Sequence, residues 1–188
     1  MLTLPDDSGK TAVIIGLDPG SETLGFGTIE FDIETMQIVK STAKTFVGSK
    51  LMRQKSWEIE LNGERFSRIN AHKENLKYLF GIHNPLQIAC ESPFYNPRRP
   101  NAYGVLVEVL IAIKQAVYEY SNWRSVFLID PPTVKKAIGA PGNADKVKMK
   151  ECILKMTNLC YDGNLEEIDE HSIDALAVAY CRYKELIK

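Results

Sequence analysis

The stretch Thr11-Ala-Val-Ile-Ile-Gly-Leu-Asp18-Pro-Gly-Ser21 decides the fold. Everything from Ala12 to Leu17 is apolar, and the run stops at an acid followed by turn residues. An apolar run of strand length with no polar alternation is a strand covered on both faces, so it is expected at the centre of its sheet with Asp18 at its end. Outward from it, Gly25-Phe-Gly-Thr-Ile-Glu-Phe-Asp-Ile33 alternates Ile29, Phe31 and Ile33 with Thr28, Glu30 and Asp32, and Met36 to Phe46 continues after a short polar turn. Period-two alternation across a short turn gives a three-stranded antiparallel meander.

Farther along, strands and helices take turns. Glu64 to Phe80 sets Phe66, Ile69, Leu76, Leu79 and Phe80 near helical spacing and ends before Gly81 and Pro85. Leu86 to Glu91 reads as a fourth strand, and Ala102 to Tyr120 as a long helix apolar on most sides. Ser125 to Asp130 is a fifth strand closed by Pro131-Pro132, followed by a short helix over Thr133 to Ile138 and two more over Asp145 to Leu159 and Glu170 to Ile187. The stretch from Gly48 to Gly63 has no clear period and is expected as a loop or short helix. The order predicts an α/β fold, a five-stranded mixed sheet with helices on both faces. With no internal repeat or composition break, residues 1–188 are expected to form one domain, with 1–10 a flexible tail.

Composition narrows the function classes. A net charge of −1 argues against a protein that coats nucleic acid indiscriminately. No apolar stretch approaches the roughly 20 residues of a membrane helix, and the first ten residues lack a basic-then-apolar signal, so no membrane and a cytoplasmic location are expected, with a bacterial cell or a phage-infected cell as the setting and an organelle left open. Cys90, Cys152, Cys160 and Cys181 show neither a C-x-x-C pair nor zinc spacing and read as reduced structural thiols. Charge is uneven: Lys40, Lys44, Lys50, Arg53 and Lys55 lie in a stretch without acids, and Asp162, Glu166, Glu167, Asp169 and Glu170 form an acidic run. Solvated faces, or a basic groove beside an acidic metal site, both accommodate this pattern.

Three acids stand where a sheet presents functional groups. Asp18 ends the first strand, Glu91 ends the fourth, and Asp174 interrupts the apolar final helix, Ile173-Asp-Ala-Leu-Ala-Val-Ala-Tyr180. A carboxylate there is costly to bury unless paired or bound to a cation. His171 precedes Asp174 by three residues, one turn away on the same helix face, where it can bind metal, shuttle a proton or simply face solvent. Oxygen-rich ligation suits Mg²⁺ or Mn²⁺ better than zinc. Two such ions about 4 Å apart activate water and stabilise the leaving oxygen of a phosphodiester, so phosphodiester hydrolysis is the expected chemistry.

These residues resemble a known family. Gly16-Leu-Asp-Pro-Gly-Ser21 with Gly25-Phe-Gly27, Ala89-Cys-Glu91 with Phe94, Pro132-Thr-Val-Lys-Lys136, Gly142-Asn-Ala-Asp-Lys146 and His171-Ser-Ile-Asp-Ala-Leu-Ala-Val-Ala179 are similar, in order, to the motifs of RuvC-like Holliday junction resolvases. The resemblance covers residues 12 to 185 and implies a ribonuclease H-like fold, a homodimer, and symmetric nicking of four-way DNA junctions with two Mg²⁺ ions, for which Mn²⁺ substitutes. It further implies that Asp18, Glu91, His171 and Asp174 bind the metal and, with Lys146, form the catalytic set. Lys135, Lys136 and Lys146 would meet phosphate. Phe94 or Tyr95 would stack on an unpaired base, where a core aromatic is the alternative, and Arg98 and Arg99 would meet backbone phosphates. The basic Lys40 to Lys55 segment departs from the family pattern, being longer and more basic.

Three rivals share features with this reading. Another ribonuclease H-like nuclease, acting on flaps, forks, mismatches or RNA-DNA hybrid, would carry the same acids. An ATPase or sugar kinase shares the opening strand ending in Asp-x-Gly, but needs two such domains and a second phosphate-gripping motif absent here. A non-catalytic junction binder would have lost at least one carboxylate, and all are present.

Overall fold

A computed structural model of the chain describes residues 10–53, 56–95, 97 and 100–188. Arg98, Arg99, Lys55 and the tail expected over residues 1–9 lie outside them. Lys10 is held, its carbonyl accepting from the Ile33 N–H at 2.8 Å. Five strands, β1 (Thr11–Asp18), β2 (Thr23–Asp32), β3 (Ile38–Val47), β4 (Gln87–Glu91) and β5 (Val126–Ile129), form one sheet in the order β3-β2-β1-β4-β5. β1 is central as its unbroken apolar run requires, antiparallel to β2 and parallel to β4.

Alternation divides the sheet between two cores. Ile15 and Leu17 of β1, Leu24 and Phe26 of β2, and Ile88 and Cys90 of β4 pack under α3 (Glu64–His83) and α4 (Pro100–Tyr120), with Ile69, Leu76, Phe80, Val109 and Ile113. Ala12, Ile14, Ile29, Phe31 and Ala89 face the other way, under α5 (Pro131–Ala137), α6 (Lys146–Leu154) and α7 (Glu170–Leu186). Each large apolar side chain so buried contributes about 1.5–3 kcal/mol against exposure. Because side chains alternate along a strand, Asp18, two residues beyond Gly16, and Glu91, two beyond Ala89, fall on the α7 side.

Of the two alternatives for Gly48 to Gly63, a loop or a short helix, the second is found: the stretch holds α1 (Gly48–Leu51) and α2 (Ser56–Asn62), and Gly63, at φ 80°, makes the break between α2 and α3 that a side chain would strain. One boundary needs correction. α6 ends at Leu154, not Leu159, because the next residues cover the outer edge of the sheet. The Ser41 hydroxyl donates to the Leu159 carbonyl at 2.6 Å, and its N–H donates to the Cys160 carbonyl at 3.0 Å. Such cover protects an edge strand from pairing with another chain. Lys40 pairs with Asp162 at 2.8 Å, so the basic stretch and the acidic run meet each other in part.

Candidate active site

Glycines build the seat of the site. A Cβ on Gly16 would come within 2.2 Å of the Ala179 nitrogen and 2.3 Å of the Ala175 carbonyl oxygen, one on Gly25 within 2.2 Å of the His171 carbonyl oxygen, and one on Gly27 within 2.6 Å of the Leu176 nitrogen. α7 therefore rests its backbone directly on β1 and β2, and this close approach lowers His171 and Asp174 toward the strand ends. The N-terminus of α7 is fixed by Asp169, which accepts from the Ser172 N–H at 3.0 Å and from the Thr45 hydroxyl of β3 at 2.5 Å.

Around that seat two of the acids meet a histidine and a lysine. His171 Nδ1 lies 2.7 Å from Asp18 Oδ2, and this pairing raises the imidazole pKa above its ordinary 6.5. Asp174 is 4% exposed, and the ammonium of Lys146 pairs with its Oδ2. The register of β1 with β4, Leu17 opposite Cys90, sets Asp18 beside Glu91. The Glu91 carboxylate makes no hydrogen bond or ion pair with another described residue, and its pKa is pushed up to about 7, first by burial and then by the Asp18 charge, against the pull of Lys146 and Lys135.

The remaining candidates divide. Lys146 opens α6, whose N-cap Asp145 accepts from the Lys148 N–H at 2.8 Å. Lys135 is turned to the Ala144 carbonyl at 2.7 Å and so braces the loop leading to Lys146, while Lys136 stays exposed. Phe94 and Tyr95 are exposed, not core, and the Tyr95 ring meets Tyr103 edge-on with centroids 6.1 Å apart. Cys90 and Cys181 are buried, Cys160 is exposed, and all four thiols are free. Sequence reasoning missed Thr23, whose Oγ1 lies 3.0 Å from His171 Nε2. Alternation along β2 carries its signal, since Thr23 shares the face of Gly25 and Gly27.

The donor set suits a hard divalent cation: three carboxylates and one imidazole, with carboxylate oxygen dominant. Among the described residues no three acidic, histidine or cysteine side chains converge closely enough to hold an ion as they stand. Lys146 pairs with Asp174 and His171 with Asp18, while burial raises the Glu91 pKa. Three carboxylates gathered with a single lysine among them make a site that a divalent cation fits by charge. No helix among the described residues is long and apolar enough to cross a membrane.

Residues 14–182 match the family model described as crossover junction endodeoxyribonuclease RuvC. The enzyme of that name from Polynucleobacter necessarius is 31% identical over 173 residues, 89% of this chain and 85% of the relative, and that from Wolbachia of Brugia malayi is 30% identical over 89% and 91%. Among solved structures, Thermus thermophilus RuvC superposes with a TM-score of 0.63 at 20% identity over 93% of this chain and 96% of that one, and its complex with a Holliday junction substrate with 0.64 at 18% over 94% and 96%. The yeast mitochondrial Holliday junction resolvase gives 0.63 at 15% over 95% and 82%.

Proposed function

The chain belongs to the RuvC family and is a crossover junction endodeoxyribonuclease, a divalent-metal-dependent Holliday junction resolvase, and from that premise we propose that Asp18, Glu91, Asp174 and His171 hold its metal and Lys146 completes the catalytic set. The observation that carries this reading is the meeting of β1, β4 and α7 at one place, with Glu91 held near pH 7 by burial and by Asp18. Mg²⁺ is the proposed ion, two per site, with Mn²⁺ able to replace it. Bound there, the ions supply an activated water and stabilise the charge that develops on the phosphate.

The chain's own residues do the rest. Rigid strand ends and the α7 seat keep the carboxylates in place, so little reorganisation is needed at the moment of reaction. Lys146, with its side chain 55% exposed, stands between buried Asp174 and the open side of the site and donates to a phosphate oxygen there. His171 holds a proton at Nδ1 against Asp18. Lys136 and, beyond the described residues, Arg98 and Arg99 meet the DNA backbone, while Phe94 and Tyr95 offer stacking faces. Lys135 serves indirectly, through the loop that it braces.

Symmetric nicking needs two sites, and we read the active form as a homodimer of this single nuclease domain, acting in the cytoplasm. A groove of about 580 Å³ between α3 and α4, walled by Phe66, Ile69, Ile111 and Ala112 and rimmed by Arg65 and Glu108, supports a second copy as its cover. Arg65 and Glu108 pair with each other at 3.1 Å on its rim, so a second copy would meet the apolar wall with that pair at its edge. Light scattering at micromolar concentration is expected to give the mass of two chains.

The decisive test is cleavage of a labelled four-way junction with Mg²⁺ present and withheld, beside flaps, bubbles and RNA-DNA hybrid. Paired symmetric nicks on the junction alone are expected. Asp18→Asn and Asp174→Asn should each bind the junction normally and lose about a thousandfold in rate, a barrier change of about 4 kcal/mol. Retained cleavage in both would overturn the site.

A further inference from the structure

The β1–β2 turn is built more tightly than a simple hairpin requires. A Cβ on Gly20 would stand 2.2 Å from the Thr23 carbonyl oxygen, so the turn folds back on Thr23 with no room for a side chain. Its far side is tied to the helices: the Gly48 N–H donates to the Glu22 carbonyl at 2.7 Å, Ser49 Oγ donates to Glu22 Oε1 at 2.6 Å, and Arg68 pairs with Glu22 Oε2 at 3.1 Å. Thr23 is thus a fixed point, and its hydroxyl is spent on His171 Nε2 at 3.0 Å.

Both ring nitrogens of His171 are therefore engaged, and their partners differ in kind. Asp18 Oδ2, on Nδ1, is a carboxylate oxygen and one of the proposed metal ligands. Thr23 Oγ1, on Nε2, is a neutral hydroxyl that accepts as readily as it donates. A ligating histidine presents one nitrogen lone pair to the cation and donates its other N–H to an outer partner that sets the tautomer and the ring plane. Two ligands in adjacent octahedral places at about 2.1 Å lie about 3 Å apart, close to the 2.7 Å between Asp18 Oδ2 and His171 Nδ1.

We propose that Thr23 is a positioning residue of the metal site: its hydroxyl oxygen accepts the Nε2–H of His171 and turns Nδ1 toward Asp18, so that a divalent cation can be shared between that nitrogen and the Asp18 carboxylate. The inference rests on the reading of Asp18 and His171 as metal ligands. No proton or electron balance is involved beyond replacement of the Nδ1 proton by the cation, the proton going to solvent.

Mn²⁺ titration of the full-length protein without DNA, followed by calorimetry, tests it, with Thr23→Val, Thr23→Ser and Asp18→Asn side by side. Thr23→Val keeps the branched shape and removes the hydroxyl; it should weaken Mn²⁺ binding about tenfold. Thr23→Ser should stay within about twofold of the parent, since it keeps the acceptor. In the metal-free protein, imidazole ¹⁵N shifts of His171 should change in Thr23→Val and not in Thr23→Ser. Unchanged Mn²⁺ affinity in Thr23→Val, while Asp18→Asn loses it, overturns the role of Thr23 alone. Equal loss in Thr23→Ser and Thr23→Val overturns it too, because packing and not the hydroxyl would then be at work. Unchanged affinity in Asp18→Asn overturns the metal-site reading on which the inference stands.

Discussion

His171 Nδ1 stands 2.7 Å from Asp18 Oδ2, joining residues 153 positions apart and closing the first turn of α7 onto the end of the central strand. That contact exists because Gly16, Gly25 and Gly27 let the helix backbone touch the sheet. On the proposed reading of the site, stability, metal affinity and catalysis all pass through the same few atoms.

Gly16→Ala should displace α7. The new methyl meets main-chain atoms at 2.2 and 2.3 Å, and neither can rotate away. Overpacking of this kind costs about 1–3 kcal/mol or more. Thermal unfolding should fall by about 2–12 °C, taking about 2–4 °C per kcal/mol for a chain of this size. Gly81→Ala, inside α3 with nothing near its Cβ, should instead gain up to about 1 kcal/mol from helix propensity. Equal effects of the two changes would contradict the glycine seat.

The contributions of Glu91 and His171 to the stability of the metal-free protein should fall as pH rises, in part offset by His72 and His83, whose burial lowers their pKa values and favours the folded state as they deprotonate. Glu91 binds its proton up to about pH 7 when folded and only to about 4.5 when unfolded, so the folded state is favoured below 4.5 and that advantage fades between 4.5 and 7. His171, raised by Asp18, acts in the same direction: its contribution is full below 6.5 and is lost as pH climbs through its raised value. Divalent cations bind the deprotonated groups. The rise in melting temperature on adding Mg²⁺ should therefore be larger at pH 8 than at pH 6, as read by fluorimetry; the reverse order would count against the carboxylates as ligands.

Removing Lys146 should strand a buried charge. Lys146→Gln leaves Asp174, 4% exposed, without its cation. Breaking a buried pair costs about 3–5 kcal/mol, but the lysine side chain is 55% exposed and solvent screens it, so about 1–2 kcal/mol is expected here. Mg²⁺ should restore most of that stability and little of the cleavage rate, because the proposed phosphate donor is gone. Urea unfolding with and without Mg²⁺ measures the first, single-turnover cleavage the second.

Phe94→Ala and Tyr95→Ala should weaken junction binding and leave folding alone. Both rings are exposed beside the end of β4, and stacking on a base contributes about 1–3 kcal/mol. Fluorescence anisotropy with a four-way junction in EDTA gives the affinity, and unchanged binding in the double variant would remove these rings from the interface.

Much of this was legible in the chain itself. The unbroken run Ala12 to Leu17 fixes a strand covered on both faces, and alternation along β1 and β4 puts Asp18 and Glu91 on one side of the sheet, because a strand's facing is encoded every two residues. The apolar stripe of α7 likewise marks Asp174 as a buried acid. Between the loop and the short helix left open over Gly48 to Gly63 the sequence could not choose, since short helices held by neighbours leave little periodicity of their own.

What only the tertiary structure decided is the company those residues keep. Docking of α7 on three glycines, the grip of Thr23 on His171, and the pairing of Lys146 with Asp174 join segments far apart in the chain. A glycine that matters for the space it leaves empty carries no hydrophobic signal, and a hydroxyl that acts across 148 positions has no local pattern. Such contacts are set by how closely two backbones approach, a distance that no run of neighbouring residues encodes.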